Sequence, residues 1–346
     1  MKFYPLPSVL SSSIRASLVR VDREVKGPYN FVQRERIPND KRGIALTWEL
    51  TQDDNRQEIS RWLDTASAGD SYTIGEMFNA ARSPSGSNAE FVELLANPFF
   101  DGTASWNATN ASLKDSLRKI KVQNSDAINA AIASQTISLT AGVPYLFIVV
   151  AEPGTHALAR MQVRDDTGAV DLFLLDVDAP GFLVGVAIPS VTRNHTIRLA
   201  SRVAAAGNHL FYSGASFARC ARVDGASQTG SVLKLKDLPA SRDGILKANE
   251  YITILTDVTG SKKNPKMELK KLTANLDSDS GGIGYAYLDI PIYTSPVDSA
   301  PVMIHRPRFY GIFPTEGTGS NDESISKPVV SSFSIYLEED LLAPGA

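Results

Sequence analysis

Four histidines, His156, His195, His209 and His305, are the first residues that could carry acid–base or metal chemistry in this 346-residue chain. None pairs with another at i, i+2 or i, i+4, the spacings that put two side chains on one strand or helix face, so structural or surface roles are expected for each. Carboxylates cluster at Asp53-Asp54, Asp165-Asp166, Asp176/Asp178 and Glu338-Glu339-Asp340. Glycoside hydrolysis needs two carboxyl groups about 5–9.5 Å apart across the scissile bond. Neighbours on a strand point to opposite faces, so Asp165-Asp166 is a poor dyad and reads, with Thr167-Gly168, as a hairpin turn. Asp277-Ser278-Asp279-Ser280-Gly281 opens like a calcium loop, but Leu288 stands where the twelfth-position Glu belongs, and a polar turn is expected. Cys220 is flanked by Arg219 and Arg222, which would favour a thiolate; with no histidine nearby in sequence it reads as a strand residue. No nucleophile elbow, P-loop or dinucleotide fingerprint occurs. Gly281-Gly282-Ile283-Gly284 is a glycine turn with no helix after it to cradle phosphate. The chain is therefore expected to be no enzyme, with no catalytic residue, no cofactor and no metal.

Composition narrows the remaining classes. Hydrophobic residues make up 43% and charged residues 21%, the balance of a folded protein. With 35 basic against 38 acidic residues there is no basic excess of the kind nucleic-acid binders carry. The one dense basic cluster, Lys262, Lys263, Lys266, Lys270 and Lys271, reads as a solvated strand or loop edge. A single cysteine excludes an intramolecular disulfide and points to a reducing compartment. The longest apolar run, Val143 to Ala151, is too short to span a bilayer, and the N-terminus has no signal-peptide core. A soluble chain made in a cytoplasm is expected.

Most of the chain alternates apolar and polar residues in short segments bounded by Gly, Pro, Asn, Asp and Ser, the pattern of half-buried strands. Residues 17–21, 44–50, 71–74, 136–139 and 196–199 are examples. In the segment 44–50, Ile44, Leu46, Trp48 and Leu50 share one face. One helix is expected over 53–67, capped by Thr51 or Asp53 and carrying Ile59, Trp62 and Leu63 as a stripe. A weaker helical stretch, Asn110 to Lys121, has Leu113, Leu117 and Ile120. Two polar seams, at 82–88 and 223–230, enclose a block of domain size.

Two resemblances follow from particular residues. Phe3-Tyr4-Pro5-Leu6-Pro7, the strand through Val21, Trp48-Glu49-Leu50 and Trp62-Leu63 resemble the opening half of bacteriophage distal tail proteins. Gly225 to Ser231, Gly244 to Ile252, and Leu276 to Gly282 followed by Tyr287-Leu288-Asp289-Ile290-Pro291 resemble the closing half. Asn249-Glu250 stands where that family has Gly-Asp. Between them, Asn97-Pro98-Phe99-Phe100-Asp101-Gly102 up to Trp106, Thr136 to Tyr145, and Arg160 to Asp165 resemble a carbohydrate-binding-module jelly roll. The resemblances imply a mainly β chain: a distal-tail-type domain with one helix in two parts, 1–86 and 224–346, interrupted by a β-sandwich at 87–223.

What they imply for function is a virion structural protein. It would form a homo-oligomeric, hexameric ring at the distal end of a phage tail tube, in contact with tail tube protein and tail tip or hub proteins. It would be made in the host cytoplasm, with no nucleic-acid partner and no membrane insertion. The inserted sandwich would face outward and bind host-surface glycan, with Trp106, Arg164, Asp165 and Tyr212 as contacts: aromatic faces stack on sugars, while Arg and Asp bond hydroxyls. Most aromatics of a β-sandwich instead fill its core, which sets the alternative reading of Trp106 and Tyr212. The competing functions are a glycan- or peptidoglycan-degrading enzyme with a binding module, and a free carbohydrate-binding adhesin.

Overall fold

The computed structural model describes residues 90–100, 102–115 and 119–308, and backbone strands at 3–5, 13–19, 22–26, 32–36, 41–50, 71–73, 310–312 and 331–339. The described part is mainly β and contains no helix. The helix expected over 53–67 and the seam at 82–88 lie outside the described residues.

Strands β1 (Phe3–Pro5), β2 (Ser13–Val19), β3 (Asp22–Lys26), β4 (Val32–Arg36), β5 (Lys41–Leu50) and β6 (Ser71–Thr73) open the chain. Ten strands follow: β7 (Asn107–Thr109), β8 (Ala111–Asp115), β9 (Lys119–Asn124), β10 (Ala131–Leu139), β11 (Tyr145–Glu152), β12 (Ala159–Asp165), β13 (Val170–Val177), β14 (Gly181–Ala187), β15 (Arg193–Ser201) and β16 (His209–Arg219). After them come β17 (Ala221–Val223), β18 (Gly230–Lys236), β19 (Arg242–Leu246), β20 (Tyr251–Leu255), β21 (Ser261–Lys263), β22 (Met267–Lys271), β23 (Leu276–Ser278), β24 (Gly284–Ile292) and β25 (Pro301–Met303). β26 (Tyr310–Ile312) and β27 (Ser331–Glu339) close the chain.

The chain divides into two compact units, one of Met1–Met77 with Phe309–Ala343 and the other containing Phe78–Arg308. In the first, strands from both ends of the chain share one sheet, in the order β1-β6-β26-β27-β5-β2. β5 and β27 pair antiparallel from Gly43↔Glu338 to Leu50↔Ser331. The segment expected to run unbroken from 224 to 346 is thus divided, at Arg308, between the two units.

The second unit holds a β-sandwich and a barrel-like sheet. One layer of the sandwich runs β13-β12-β15-β10-β7, the other β21-β14-β11-β16-β9-β8. Alternation explains the first layer: Ala159, Met161 and Val163 of β12 and Ile197 and Leu199 of β15 face inward and are buried, while the residues between them face out. β11 is different, being buried at every position from Tyr145 to Ala151. It lies centrally between β14 and β16, and its outer residues Leu146 and Ile148 line a small cavity with Met303 and Ile304 of the barrel. A strand covered on both faces reads as a continuous apolar run, which is what Val143 to Ala151 is.

The stretch Asn110 to Lys121 is a correction: it forms β8 and β9, not a helix. In β9 every second residue, Ile120, Val122 and Asn124, is buried, and β16 is paired with it from Lys119↔Ser213 to Gln123↔His209. Pairing to a sheet outweighs the weak 3.6-residue stripe of Leu113 and Ile120.

The barrel sheet runs β22-β20-β25-β17-β18-β24 and nearly closes through a bridge between Leu272 and Leu288. β21 leaves it to pair with β14 of the sandwich, Lys262 opposite Val184. Gly282 permits the turn before β24: its φ is +73°, and a Cβ there would lie 2.5 Å from the Leu238 carbonyl oxygen, so no other residue fits without displacing backbone. Lys270 of the basic cluster is a second correction. It is buried inside this sheet, 2.8 Å from the buried carboxylate of Glu268, rather than on a solvated edge.

Cys220 is fully buried and its N–H donates to the Pro144 carbonyl at 3.0 Å. Burial pushes its thiol up to about 12, against the pull of Arg222. Alkylation by iodoacetamide at pH 8 should run at least about 100-fold slower than for a free thiol and reach the free rate in urea, as read by mass spectrometry. Native-state labelling at the free rate would contradict the burial.

Candidate functional site

The two outer faces of the sandwich differ. That of the β11 layer carries Phe182 and Val184, both fully buried, and meets the barrel. That of the five-stranded layer is mostly polar and partly exposed, with Gln162 and Ala200 buried among their neighbours, and strand register lays its side chains in rows. One row is Leu174, Gln162, Arg198 and Ser134. The next is Asp176, Arg160, Ala200 and Ile132, and on the other side stand Asp171, Arg164, Thr196 and Thr136. Among the described residues this face carries no aromatic ring.

Its charges are paired across strands. Arg160 grips Asp176 through two parallel bonds, Nε to Oδ1 at 2.7 Å and Nη2 to Oδ2 at 2.8 Å, the bidentate geometry that fixes a guanidinium in place. Arg202 joins the same carboxylate at 3.4 Å and reaches Asp178 at 2.8 Å. Asp171 accepts from Gln162 at 2.7 Å and from Arg164 at 3.1 Å. Arg198 donates to Asp166 at 2.5 Å, and Thr196 also bonds Asp166. The Arg160 hydrogen bond, opposed by burial, holds the Asp176 carboxyl below its ordinary range. That ion pair is therefore in place above about pH 4 and is lost as pH falls through the lowered value. The result is a flat array of planar donors and carboxylate acceptors, ordered by each other and mounted on rigid strands. A bidentate pair occupies only two of the five guanidinium donors, so the array retains capacity to bond hydroxyl groups.

Of the four residues expected to contact glycan, the structure places one on this face. Arg164 lies there. Asp165 points the other way, its side chain only 8% exposed against Arg193, and accepts from the Gly168 N–H at 3.1 Å; it closes the hairpin. Trp106 is buried against Phe100, with ring centroids 5.3 Å apart, and its Nε1 donates to the Asn97 carbonyl at 3.3 Å. Tyr212 is fully buried. Its hydroxyl accepts from the Arg160 N–H at 3.2 Å and lies 2.7 Å from the Ala200 carbonyl. Burial raises its pKa. Trp106 and Tyr212 are corrected from sugar contacts to core: each polar tip finds a backbone partner inside the sandwich.

Arg160, Gln162, Asp171, Asp176 and Arg198 were missed as site residues. Their signal was the polar half of two alternations, Arg160-Met161-Gln162-Val163-Arg164 and Thr196-Ile197-Arg198-Leu199. His156 and His209 come near each other through the turn at 154–156, where the Thr155 N–H donates to the His209 carbonyl at 3.0 Å. His156 Nε2 is 2.8 Å from Ser201 Oγ, His195 is buried against the Arg193 carbonyl at 2.8 Å, and His305 lies 3.5 Å from Glu93. Asp279 accepts from the N–H groups of Gly281 and Ile283 at 2.8 and 2.9 Å, an ordinary turn. Among the described residues no group of three His, Cys, Asp or Glu is placed to hold a metal ion, and no helix is long and apolar enough to cross a membrane.

No family model matches the chain, and no curated protein matches it. Solved structures similar to it include the enzymatically active domain of bacteriophage CBA120 tailspike protein 4, at 12% identity and a TM-score of 0.29 over 37% of this chain and 21% of that one. An arabinose-bound α-L-arabinofuranosidase matches at 14% identity and a TM-score of 0.30, over 39% of this chain and 27% of that one. A carbohydrate-binding module in complex with β-1,4-galactotriose matches at 14% identity and a TM-score of 0.28, over 37% of this chain and 99% of that one. The chain thus spans about a quarter of the first two and nearly all of the third. Likenesses this distant carry no argument about substrate or mechanism. They do correct one expectation: with enzymes among the similar structures, the reading of the chain as a non-enzyme is withdrawn.

Proposed function

We propose that this chain is a glycan-engaging component of a bacteriophage tail, and that the outer face of the five-stranded layer is where a hydroxyl-rich saccharide lies. The observation that carries the saccharide reading is the asymmetry of the sandwich. One face is spent on the barrel, whereas the other presents an ordered row of Arg, Asp, Gln, Ser and Thr side chains across three adjacent strands. Such a row recognises ring hydroxyls by hydrogen bonds rather than by stacking.

The finer part of the proposal concerns the ends of the chain. Their shared sheet is read as the ring-forming domain at the distal end of the tail tube, a hexamer contacting tube and hub proteins, with the sandwich directed at host glycan. Six copies would turn weak single-site binding into useful avidity. The location would be the virion tail, after synthesis in the host cytoplasm.

Affinity electrophoresis of the full chain against a panel of bacterial envelope polysaccharides and neutral plant β-glycans tests the face. At least one should retard the chain, and R164A/R198A should weaken that retention at least tenfold. Reducing-end release, measured on the same panel, tells whether the bound chain is also cut. Retention unchanged in R164A/R198A, or no retention at all, would sink the proposal. Closed six-fold rings in electron micrographs would support the tail assignment; a monomer throughout would remove it.

A further inference from the structure

The barrel carries a feature that the sandwich face lacks. Tyr285, Tyr287 and Tyr293 are 50%, 47% and 42% exposed, and no other aromatic side chain among the described residues is as open. Tyr285 and Tyr287 alternate along β24 with the buried Ala286 and Leu288, and the same period carries through Asp289 and Pro291 to Tyr293 just beyond the strand. All therefore project from the outer side of the barrel wall. Two residues along a strand span about 6.6 Å, so the first two rings stand as neighbours in a line.

β24 is not a strand edge that another chain could extend. β18 pairs it on one side, and on the other Thr273 donates its N–H to the Tyr287 carbonyl at 2.9 Å. Recognition here must come from the side chains. In register on β18, Lys234 stands opposite Tyr285 and Val232 opposite Tyr287. Lys234 is held by Asp224 at 2.7 Å. Tyr285 and Tyr287 thus stand side by side, with Lys234 and Val232 opposite them, and Asp289 and the exposed Pro291 separate the pair from Tyr293. A protein interface has a contiguous apolar centre. A short line of rings flanked by Lys234 and Asp289 instead matches a chain of sugars, whose C–H faces stack on rings while hydroxyls bond at the rim.

We infer that the outer wall of the barrel, through Tyr285, Tyr287 and Tyr293, is a second glycan-binding surface, taking neutral pyranose chains by stacking. It is separate from the arginine face of the sandwich and does not depend on it. Four full-length proteins are compared on the same polysaccharide panel: wild type, R164A/R198A, Y285A/Y287A and the quadruple variant. Sedimentation is measured for each, and circular dichroism verifies folding. Y285A/Y287A should weaken retention at least tenfold on one or more neutral polysaccharides, and Y285F/Y287F should keep it, because the rings remain. Loss in R164A/R198A alone would overturn the tyrosine surface and leave the sandwich reading standing. Loss in Y285A/Y287A alone would do the reverse. Unchanged retention in Y285A/Y287A with a smaller sedimentation coefficient would assign the tyrosines to contacts between copies of this chain and overturn the inference.

Discussion

Replacing Lys270 by methionine should destabilise the barrel by about 3–5 kcal/mol. Lys270 and Glu268 are both nearly fully buried, 4% and 3% exposed at their side chains. They sit two apart on β22, opposite Ile252 and Ile254 of β20, on the inward side. Every strong partner is supplied by protein. The ammonium reaches the carboxylate at 2.8 Å and the Pro291 carbonyl at 2.9 Å. The carboxylate accepts from the Tyr293 N–H at 2.9 Å and from the Thr294 N–H. Removing one charge strands the other in a medium that solvates it poorly, which is the costly half of such a pair. Removing both, in E268L/K270M, should cost less than K270M alone, although two N–H groups lose their acceptor. Urea titration followed by hydrogen exchange at β20 and β22 amides reads the effect. Equal stability for K270M and wild type would show that the pair is not buried as described.

Trp106→Ala should cost about 3–5 kcal/mol in the sandwich, the range for deleting a large buried aromatic. The ring packs on Phe100 and seals the segment before β7, and its indole N–H ties that segment to the Asn97 carbonyl. A glycan contact would behave differently: its loss lowers affinity and leaves stability within a few tenths of a kcal/mol, as for most surface substitutions. The decisive comparison is therefore two readouts on one variant. A large drop in the urea midpoint, with unchanged glycan retention under conditions where the variant is folded, fits a core role. Unchanged midpoint with lost retention would return Trp106 to the binding surface.

Much of the fold was legible because period-two alternation reports a half-buried strand directly. The segments at 136–139 and 196–199 fall within β10 and β15, and the strand at 44–50 within β5. Legibility failed where a strand's partner decides its state. Asn110 to Lys121 has no strong local preference, and only the sheet it joins makes it β. Lys270 looks solvent-bound in a lysine-rich stretch, and what buries it is a carboxylate two residues earlier on the same face. The candidate site failed to emerge for a related reason. Trp and Tyr attract attention as sugar platforms, but in a sandwich the interior claims them first, as it claims Trp106 and Tyr212. The polar residues between the core positions of β12 and β15 look like ordinary solvated side chains until register sets Gln162 beside Arg198 and Arg198 beside Ser134.

The most direct test of the central claim is the position of a bound oligosaccharide. A crystal of the full chain, soaked with a fragment of whichever polysaccharide the electrophoresis panel retains, should show sugar density across β12 and β15, with ring hydroxyls bonded to Arg164, Arg198 or Ser134. Sugar density confined to the barrel tyrosines or to loops, with the arginine face bare, would contradict the account.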